Sequence, residues 1–437
     1  MALLCENTAV KSKVVSIAFI VGAVLAGVGF VHADNWPNWR GPDNNGVCKE
    51  TKLPVTWSDT KNLAWKLPLP GSAGSTPVIW GDRIFLTSAD GKDYALLCVS
   101  TDGKQLWKRL IGSGGRTSIM RGEGNDASAS PCTDGKHVYA FVGTGDLACF
   151  DFEGAAAWKF NIQERYGKVR IQHGLHNTPL LHEGRLYLAL LHNGGHWVVA
   201  LDAASGKEIW KVARQTDAKG ESREAYSSPV LWNDGKETTL VVLGCDYTTG
   251  HRLSDGAEVW RLSDLNPTKN YSNALRIIAS PVASTDLLVV PTARGGLIVG
   301  LKPGATGTIT ANSPFERWRK TRGAPDVPSP LIHDGLVYLV QAGGRGSVQC
   351  WDAKTGKEFY NESIYDDRYR ASPVYADGKI YVLSRDGTAL VIQAGKKFQL
   401  LATNNVKDNF TASPAIANGR VYLRGFNALY AIQESAK

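Results

Sequence analysis

Several sequence features that mark large functional classes are absent from this 437-residue chain. Lys and Arg are spread along the chain without a dense run, although the formal net charge is +8, and this argues against a basic stripe that binds nucleic acid. There is no CxxC, no CxxCH and no adjacent pair of cysteines, so the chain has no c-type haem attachment motif. No HExxH occurs either, which excludes the helical zinc-protease motif.

Long apolar runs are also scarce, and the one of membrane-spanning length covers residues 14–31. Lys11 and Lys13 precede it, and Val31 and Ala33 occupy the −3 and −1 positions of a cleavage site. We therefore predict a signal peptide over residues 1–33, cleaved after Ala33, and a periplasmic or secreted protein. An uncleaved N-terminal anchor is the alternative, because 18 residues suffice to span a bilayer. No cysteine follows the run directly, so we expect no lipoprotein anchor.

The remaining composition is typical of a folded all-β protein. The chain has 46 Gly and 13 Trp, with 21% charged and 43% hydrophobic residues. This balance excludes a disordered chain and a multi-span membrane protein, and the many turn-forming and aromatic residues favour β structure. Removing the leader leaves a mildly basic chain with six cysteines, whose pairing the sequence does not determine.

A repeat organises the rest of the chain. A Ser-Pro or Thr-Pro step followed by an apolar residue or Cys recurs at intervals of 41 to 54 residues. The repeated prolines are Pro77, Pro131, Pro179, Pro229, Pro281, Pro330, Pro373 and Pro414. Each unit contains turn signals between short β-rich runs and usually an aromatic residue in its last run. We interpret each unit as four short strands, A to D, of one propeller blade. We expect the aromatic residue of strand D to pack between neighbouring blades.

The two chain ends predict how the ring closes. The eighth unit lacks a fourth strand, and the segment around Trp65 resembles the fourth strands around Trp210 and Trp260. We predict an all-β, eight-bladed β-propeller of four-stranded antiparallel blades, its last blade closed by an N-terminal strand. The predicted domains are a leader over 1–33, an N-terminal arm over 34–61 and the propeller over 62–437. Two separate β domains of four units each are the alternative.

The turn-and-Trp signature of residues 201–210 resembles the pyrroloquinoline-quinone (PQQ) repeat of quinoprotein-like propellers, and residues 351–359 nearly copy it. The opening residues 36–42, WPNWRGP, resemble the start of secreted PQQ-like propellers common in planctomycete bacteria. This architecture serves both PQQ-dependent dehydrogenases and non-catalytic scaffolds such as the BamB-type outer-membrane assembly factors.

The enzymatic members imply PQQ at the propeller axis with Ca²⁺, a catalytic Asp, and a Trp and a disulfide of adjacent cysteines that sandwich the cofactor. This sequence departs from them in having no adjacent cysteines and no haem motif, and in being shorter. No catalytic residue is carried over by position.

Arginines recur in the predicted loops between strands B and C of blades 5 to 8. They are Arg294, Arg345, Arg385 and Arg424. Those loops and the loops that enter strand A lie at one end of the propeller, so the sequence predicts an arginine-rich site for a carboxylate or phosphate near the axis. The alternative is that each Arg pairs with an acid of its neighbouring blade.

Blade 3 concentrates histidines at the same end. His173 and His176 lie in the predicted loop that enters its strand A, and His192 and His196 lie in its predicted B–C loop. Imidazole is a common metal ligand, but these spacings are unspecific, so we assign ligand-binding contacts and no metal site.

The sequence favours an exported, PQQ-like propeller that acts as a monomeric binding scaffold in the cell envelope. The predicted partner at the loop-rich end is a protein or a small anionic ligand, with no nucleic acid and with membrane contact only through an uncleaved leader. No cofactor is assigned. The alternative function is a PQQ-dependent alcohol or sugar dehydrogenase that uses PQQ and calcium.

Overall fold

The computed structural model describes Met1 and residues 35–115, 122–341, 346–365 and 367–435. The predicted leader and Arg345 lie outside these residues. Within them, the chain forms eight sheets, and each contains four consecutive antiparallel strands of one blade, except that the last blade takes its outer strand from the N-terminal side. The predicted eight-bladed all-β propeller is confirmed.

The first four blades occupy the region from Val78 to Leu262. Blade 1 contains β2 (Val78–Trp80), β3 (Arg83–Asp90), β4 (Asp93–Ser100) and β5 (Gln105–Ser113). Blade 2 contains β6 (Cys132–Thr133), β7 (His137–Phe141), β8 (Asp146–Asp151) and β9 (Ala156–Asn161). Blade 3 contains β10 (Leu180–His182), β11 (Arg185–His192), β12 (Gly195–Asp202) and β13 (Glu208–Ala213). Blade 4 contains β14 (Val230–Asn233), β15 (Thr238–Gly244), β16 (Tyr247–Arg252) and β17 (Glu258–Leu262).

The last four blades follow the same order. Blade 5 contains β18 (Val282–Ser284), β19 (Leu287–Pro291), β20 (Ile298–Leu301) and β22 (Glu316–Lys320). Blade 6 contains β23 (Leu331–His333), β24 (Leu336–Gln341), β25 (Ser347–Asp352) and β26 (Glu358–Ser363). Blade 7 contains β27 (Val374–Ala376), β28 (Lys379–Leu383), β29 (Thr388–Gln393) and β30 (Leu400–Asn405). Blade 8 contains β31 (Ala415–Ala417), β32 (Arg420–Arg424) and β33 (Ala428–Ile432), completed by β1 (Leu63–Pro68).

Blade 8 confirms the predicted closure. Strand β1 pairs antiparallel with β33, in a register that sets Leu67 opposite Leu429 and Pro68 opposite Ala428. The first and last strands of the propeller therefore share one sheet, and neither chain end leaves a blade incomplete.

Departures from the four-strand pattern are small. The insert of blade 5 forms β21 (Gly307–Ile309), which pairs parallel to the outer strand β17 of blade 4. Within the residue ranges given above, helical structure is limited to α1 (Ile162–Tyr166), capped by the Asn161 side chain, and to two 3₁₀ turns, Gly220–Arg223 and Thr268–Asn270. Among the described residues, no helix is long and apolar enough to span a bilayer.

The Ser/Thr-Pro repeat forms a closed ring of hydrogen bonds around the axis. In each blade the hydroxyl before the repeated Pro accepts the backbone N–H of the corresponding residue in the preceding blade, at 2.8–3.2 Å. We call these residues the hydroxyl ring: Thr76, Ser130, Thr178, Ser228, Ser280, Ser329, Ser372 and Ser413. The eighth bond, from Ser413 N–H to Thr76 Oγ1, returns to the first blade. Every member is buried, so each bond satisfies a donor that water does not reach.

Tryptophans of the outer strands join neighbouring blades at the periphery, as their recurrence predicted. Each of five indole N–H groups donates to a backbone carbonyl in the C–D turn of the next blade. The pairs are Trp65 with Thr101, Trp107 with Phe152, Trp158 with Ala203, Trp210 with Leu253, and Trp318 with Ala353. A glycine follows in each of these turns, and a Cβ on it would lie within about 3 Å of the indole. The repeated Gly therefore makes room for the Trp of the preceding blade.

The core consists of apolar clusters between adjacent blades. Cys98, Cys149 and Cys350 occupy equivalent places in strand C, where burial raises the pKa of each thiol to about 12. No disulfide joins the six cysteines of the described chain, and all six are buried, so they act as small packing residues.

The N-terminal arm lies across the end of the propeller that carries the A–B turns. Trp36 exchanges two backbone hydrogen bonds of 2.8 Å with Ile79, and Trp57 N–H donates to Asn404 in blade 7. Arg40, 2% exposed, donates to the carbonyls of Pro330 and Pro373 directly below the hydroxyl ring. Burial lowers the pKa of Arg40 to about 9. The arm therefore adds packing across several blades at this end.

We expect Ser280→Ala to lower the free energy of unfolding by about 1–3 kcal/mol, because the buried N–H of Ser228 loses its acceptor. Ser280→Thr is the matched control, since Thr already occupies the ring in blades 1 and 3. Urea unfolding of both variants measures the difference. Equal stability of the two variants would contradict the importance of the hydroxyl.

We expect Gly206→Ala to destabilise the protein more than Gly184→Ala, although both glycines have positive φ angles of 66° and 72°. A Cβ on Gly206 would lie 2.8 Å from the Trp158 ring, whereas one on Gly184 meets nothing within 4 Å. Both variants incur about 1 kcal/mol of backbone strain, and displacing Trp158 adds about 1–3 kcal/mol. Thermal unfolding separates the two effects, and identical melting temperatures would rule out the tight Trp–Gly packing.

Candidate functional site

The candidate site is a cavity of about 150 Å³ on the propeller axis. Two rings of side chains and Trp39 of the arm line it. The inner ring is the hydroxyl ring. The second, which we call the upper ring, contains the residue two positions before each hydroxyl: Gly74, Ser128, His176, Tyr226, Ile278, Val327, Arg370 and Thr411.

The upper ring decides the chemistry of the cavity because its eight side chains differ. Arg370 of blade 7 stands opposite His176 of blade 3, since four blades separate them around the ring. Ile278 and Val327 of blades 5 and 6 form an apolar sector. The Tyr226 hydroxyl donates to Glu224 at 2.8 Å, so this phenol is engaged away from the axis. The cavity therefore combines a cationic side chain, an imidazole and an apolar wall.

Two of the predicted arginines, Arg294 and Arg385, lie on their B–C loops. Arg294 forms an ion pair with Asp326, which lies in the loop leading into blade 6. Arg424 is instead the last residue of strand β32, where it is fully buried and donates to the carbonyls of Gly71 and Thr87, and burial lowers its pKa to about 9. Arg345 lies outside the described residues. Arg385 contacts an acid that comes from the connection between blades 1 and 2.

That acid is Glu123. We call its three arginine partners, Arg368, Arg370 and Arg385, the arginine cradle. Arg370 donates to both carboxylate oxygens of Glu123, at 2.7 and 3.0 Å. Arg368 and Arg385 approach Oε1 at 3.3 and 3.4 Å. Glu123 belongs to the loop over residues 114–131 between blades 1 and 2, so its carboxylate meets arginines of blade 7 that lie about 250 positions later.

The cradle favours the ionised form of Glu123. Burial acts to raise the pKa of the carboxyl group, but the hydrogen bond from Arg370 and the charges of Arg370, Arg385 and Arg368 together bring the pKa below its ordinary value. Charge-assisted, two-point Arg–carboxylate pairs of this kind are strong and directional.

The predicted histidines form two pairs. His176 Nε2 lies 2.8 Å from the His173 carbonyl oxygen, while the His173 ring contacts Glu221 at 3.4 Å and Arg276 at 3.1 Å. His196 Nε2 lies 2.9 Å from the Arg223 carbonyl oxygen. His192 accepts the Gly194 N–H, and burial, aided by His196, lowers its pKa to about 4. Among the described residues, no three His, Cys, Asp or Glu side chains are arranged to hold a metal ion.

Sequence reasoning named His176 but missed Glu123, Arg368, Arg370 and the remaining members of the upper ring. The upper ring could have been found from the sequence, because each of its members lies three positions before a repeated Pro. Arg368 and Arg370 are also close to the repeat in sequence, whereas nothing periodic marks Glu123.

The cavity does not fit PQQ with calcium. Its volume is below the roughly 300–1,000 Å³ of pockets that enclose drug-sized ligands. Each hydroxyl of the inner ring already accepts a backbone N–H. The part of the chain that the structure describes also offers no carboxylate cluster for Ca²⁺.

We expect stability to fall as the pH drops from about 6.5 to about 4. Burial lowers the pKa of both His192 and His251 to about 4, whereas an unfolded histidine titrates near pH 6.5. The unfolded chain therefore binds more protons in this interval, and each histidine contributes a slope of up to about 1.4 kcal/mol per pH unit.

Urea unfolding between pH 4 and 7 measures this slope, and a His192→Gln/His251→Gln variant is the comparison because carboxylates also titrate near the lower limit. The variant should show a shallower dependence than the parent. Parallel curves would contradict the neutral state of these imidazoles.

Comparison with known proteins places the chain among PQQ-like propellers. A family model described as outer membrane protein assembly factor BamB matches residues 48–151, 143–311 and 305–397. A polyvinylalcohol dehydrogenase of Pseudomonas sp is 25% identical over 197 residues, which are 41% of this chain and 29% of the relative. Quinohemoprotein alcohol dehydrogenase ADH IIB of Pseudomonas putida is 26% identical over 201 residues, or 44% and 26% of the two chains. This chain thus spans less than a third of either curated relative.

Solved structures share the fold at low identity. A quinohemoprotein alcohol dehydrogenase from Comamonas testosteroni superposes with a TM-score of 0.68 at 12% identity, covering 92% of this chain and 81% of the other. BamB from Moraxella catarrhalis gives 0.57 at 14% identity, with coverage of 87% and 100%. A europium-containing methanol dehydrogenase gives 0.69 at 11% identity, with 90% of each chain covered. Because the family model matches most of the sequence, the chain belongs to the family described as outer membrane protein assembly factor BamB.

Proposed function

We propose that the protein is an exported, non-catalytic scaffold that binds a partner protein through the end of the propeller bearing the B–C loops. One observation carries this proposal: the ionisable side chains that follow make their contacts within the chain. Arg370 and Arg385 hold Glu123, Glu224 accepts Gln172, Asn193 and Tyr226, and His192 is neutral near pH 7. None of these contacts pairs a nucleophile with a general base.

The architecture suits such a role. The hydroxyl ring and the tryptophan contacts link all parts of the disc, so loops at one end are held in fixed relative positions. Rigid presentation reduces the entropy lost on binding. The family described as an assembly factor and the apolar N-terminal run support a location in the cell envelope. The dehydrogenase relatives keep PQQ-dependent oxidation as the alternative to be tested.

The alternative is tested by adding PQQ and CaCl₂ to the purified protein and measuring dye-linked oxidation of alcohols and sugars. We expect no dye reduction above that of PQQ and CaCl₂ without protein. Turnover that depends on protein would overturn the scaffold assignment.

The binding surface is tested by photocrosslinking in the producing cells. A photoreactive residue at Tyr365, which is 47% exposed in the loop entering blade 7, should give a discrete protein adduct. The same residue at exposed Lys136, in the A–B turn of blade 2 at the other end of the propeller, is the control. Equal crosslinking from both positions, or none from Tyr365, would contradict the proposed surface.

A further inference from the structure

Glu123 comes from the connection between blades 1 and 2, and its carboxylate lies against arginines of blade 7. Glu123 is 19% exposed and lies against Arg370 and Arg385, which are 13% and 19% exposed. Arg368, by contrast, is 61% exposed and contacts only one oxygen of the carboxylate at 3.3 Å. Three guanidinium groups thus share one acid, and the outermost keeps most of its surface in water.

Other acids near the cradle are engaged elsewhere. The Asp367 carboxylate accepts the backbone N–H of Asp386, and the Asp386 carboxylate accepts from Ser384 and Thr388. Neither forms an ion pair with the cradle arginines within 4.0 Å. Among the residues that the structure describes, Glu123 is therefore the acid paired with the three guanidinium groups, whose combined charge exceeds its own.

The cradle also opens on the axial cavity. Arg370 lines the cavity, and so does Thr411 of the adjacent blade 8. The Thr411 hydroxyl is buried without a hydrogen-bond partner among the described residues. A buried hydroxyl that lacks a partner costs stability unless a ligand or water satisfies it. Both observations indicate that polar atoms of a ligand belong beside Arg370.

From this geometry we infer that Arg368, Arg370 and Arg385 form a recognition site for carboxylate ligands, and that Glu123 occupies it as an internal competitor. A ligand carboxylate replaces the Glu123 carboxylate on Arg370, and the Glu123 side chain turns away from the cradle. The inference rests on the proposed function in one respect: the site lies at the end of the propeller that we propose as the binding surface.

The carboxylate has two sources, a free polycarboxylate or the acidic side chains of a partner. Both present the group that the guanidinium fork binds through two hydrogen bonds. An internal acid lowers the affinity for either, because a ligand must first displace it. Removing the negative charge of Glu123 should therefore raise the affinity for both sources.

The test is calorimetric titration of citrate and, separately, of a hexaglutamate peptide into the full chain. Glu123→Gln should bind at least one of the two about tenfold more tightly than the parent, because an amide no longer competes for the cradle. Adding Arg370→Gln should abolish the gain. Tighter binding of citrate alone would indicate a free polycarboxylate as the ligand. Tighter binding of the peptide would indicate an acidic segment of a partner protein.

Glu316→Gln is the matched control, because Glu316 pairs with Arg319 on the outer strand β22, away from the cavity. It should leave both affinities unchanged. Thermal unfolding confirms that each variant is folded. Equal affinities of the parent and Glu123→Gln for both ligands, or the same gain from Glu316→Gln, would overturn the inference. Citrate titration needs neither a partner nor PQQ, so this outcome is distinct from failure of the scaffold proposal.

Discussion

The hydroxyl ring is the constraint on which the rest of the propeller depends. Each Ser or Thr before a repeated Pro accepts a backbone N–H from the preceding blade, and the chain of bonds closes from Ser413 to Thr76. A buried N–H needs an acceptor, and the Pro that follows each hydroxyl has no N–H of its own to satisfy. One short side chain per blade thus sets the spacing of the inner strands and brings eight upper-ring positions around one axis.

The outer contacts complement this inner ring. Trp158 packs over Gly206 and donates to Ala203, and the same arrangement recurs between other neighbouring blades. Strand β1 joins β33, so the chain ends also become part of the ring. Because these contacts repeat, stability is shared among blades. The residues of the upper ring and the B–C loops do not take part in these repeated contacts, so they can differ from blade to blade and carry function.

Charge pairing within the chain determines what the axial site can do. Arg294 is paired with Asp326, and Arg370 and Arg385 with Glu123, while Arg424 is enclosed between blades 8 and 1. The Arg294–Asp326 pair agrees with the alternative in which an arginine meets an acid of the neighbouring blade, while the predicted site for a carboxylate or phosphate ligand stays a prediction. The carboxylate that Arg370 and Arg385 hold is the protein's own, which favours a site regulated by competition over a permanent cofactor site.

The sequence by itself determined the blade number, the strand order, the closing role of Leu63–Pro68 and the inter-blade place of Trp158 and Trp210, because these features repeat along the chain and repetition reflects packing. It also identified the loops that carry Arg294 and Arg385, since strand alternation dictates which loops share an end. Only the tertiary structure decided which acid meets which base. Glu123 and Arg370 are 247 positions apart in the chain. They meet because folding of the whole ring brings blade 7 next to the connection that carries Glu123, and no local sequence pattern encodes that contact.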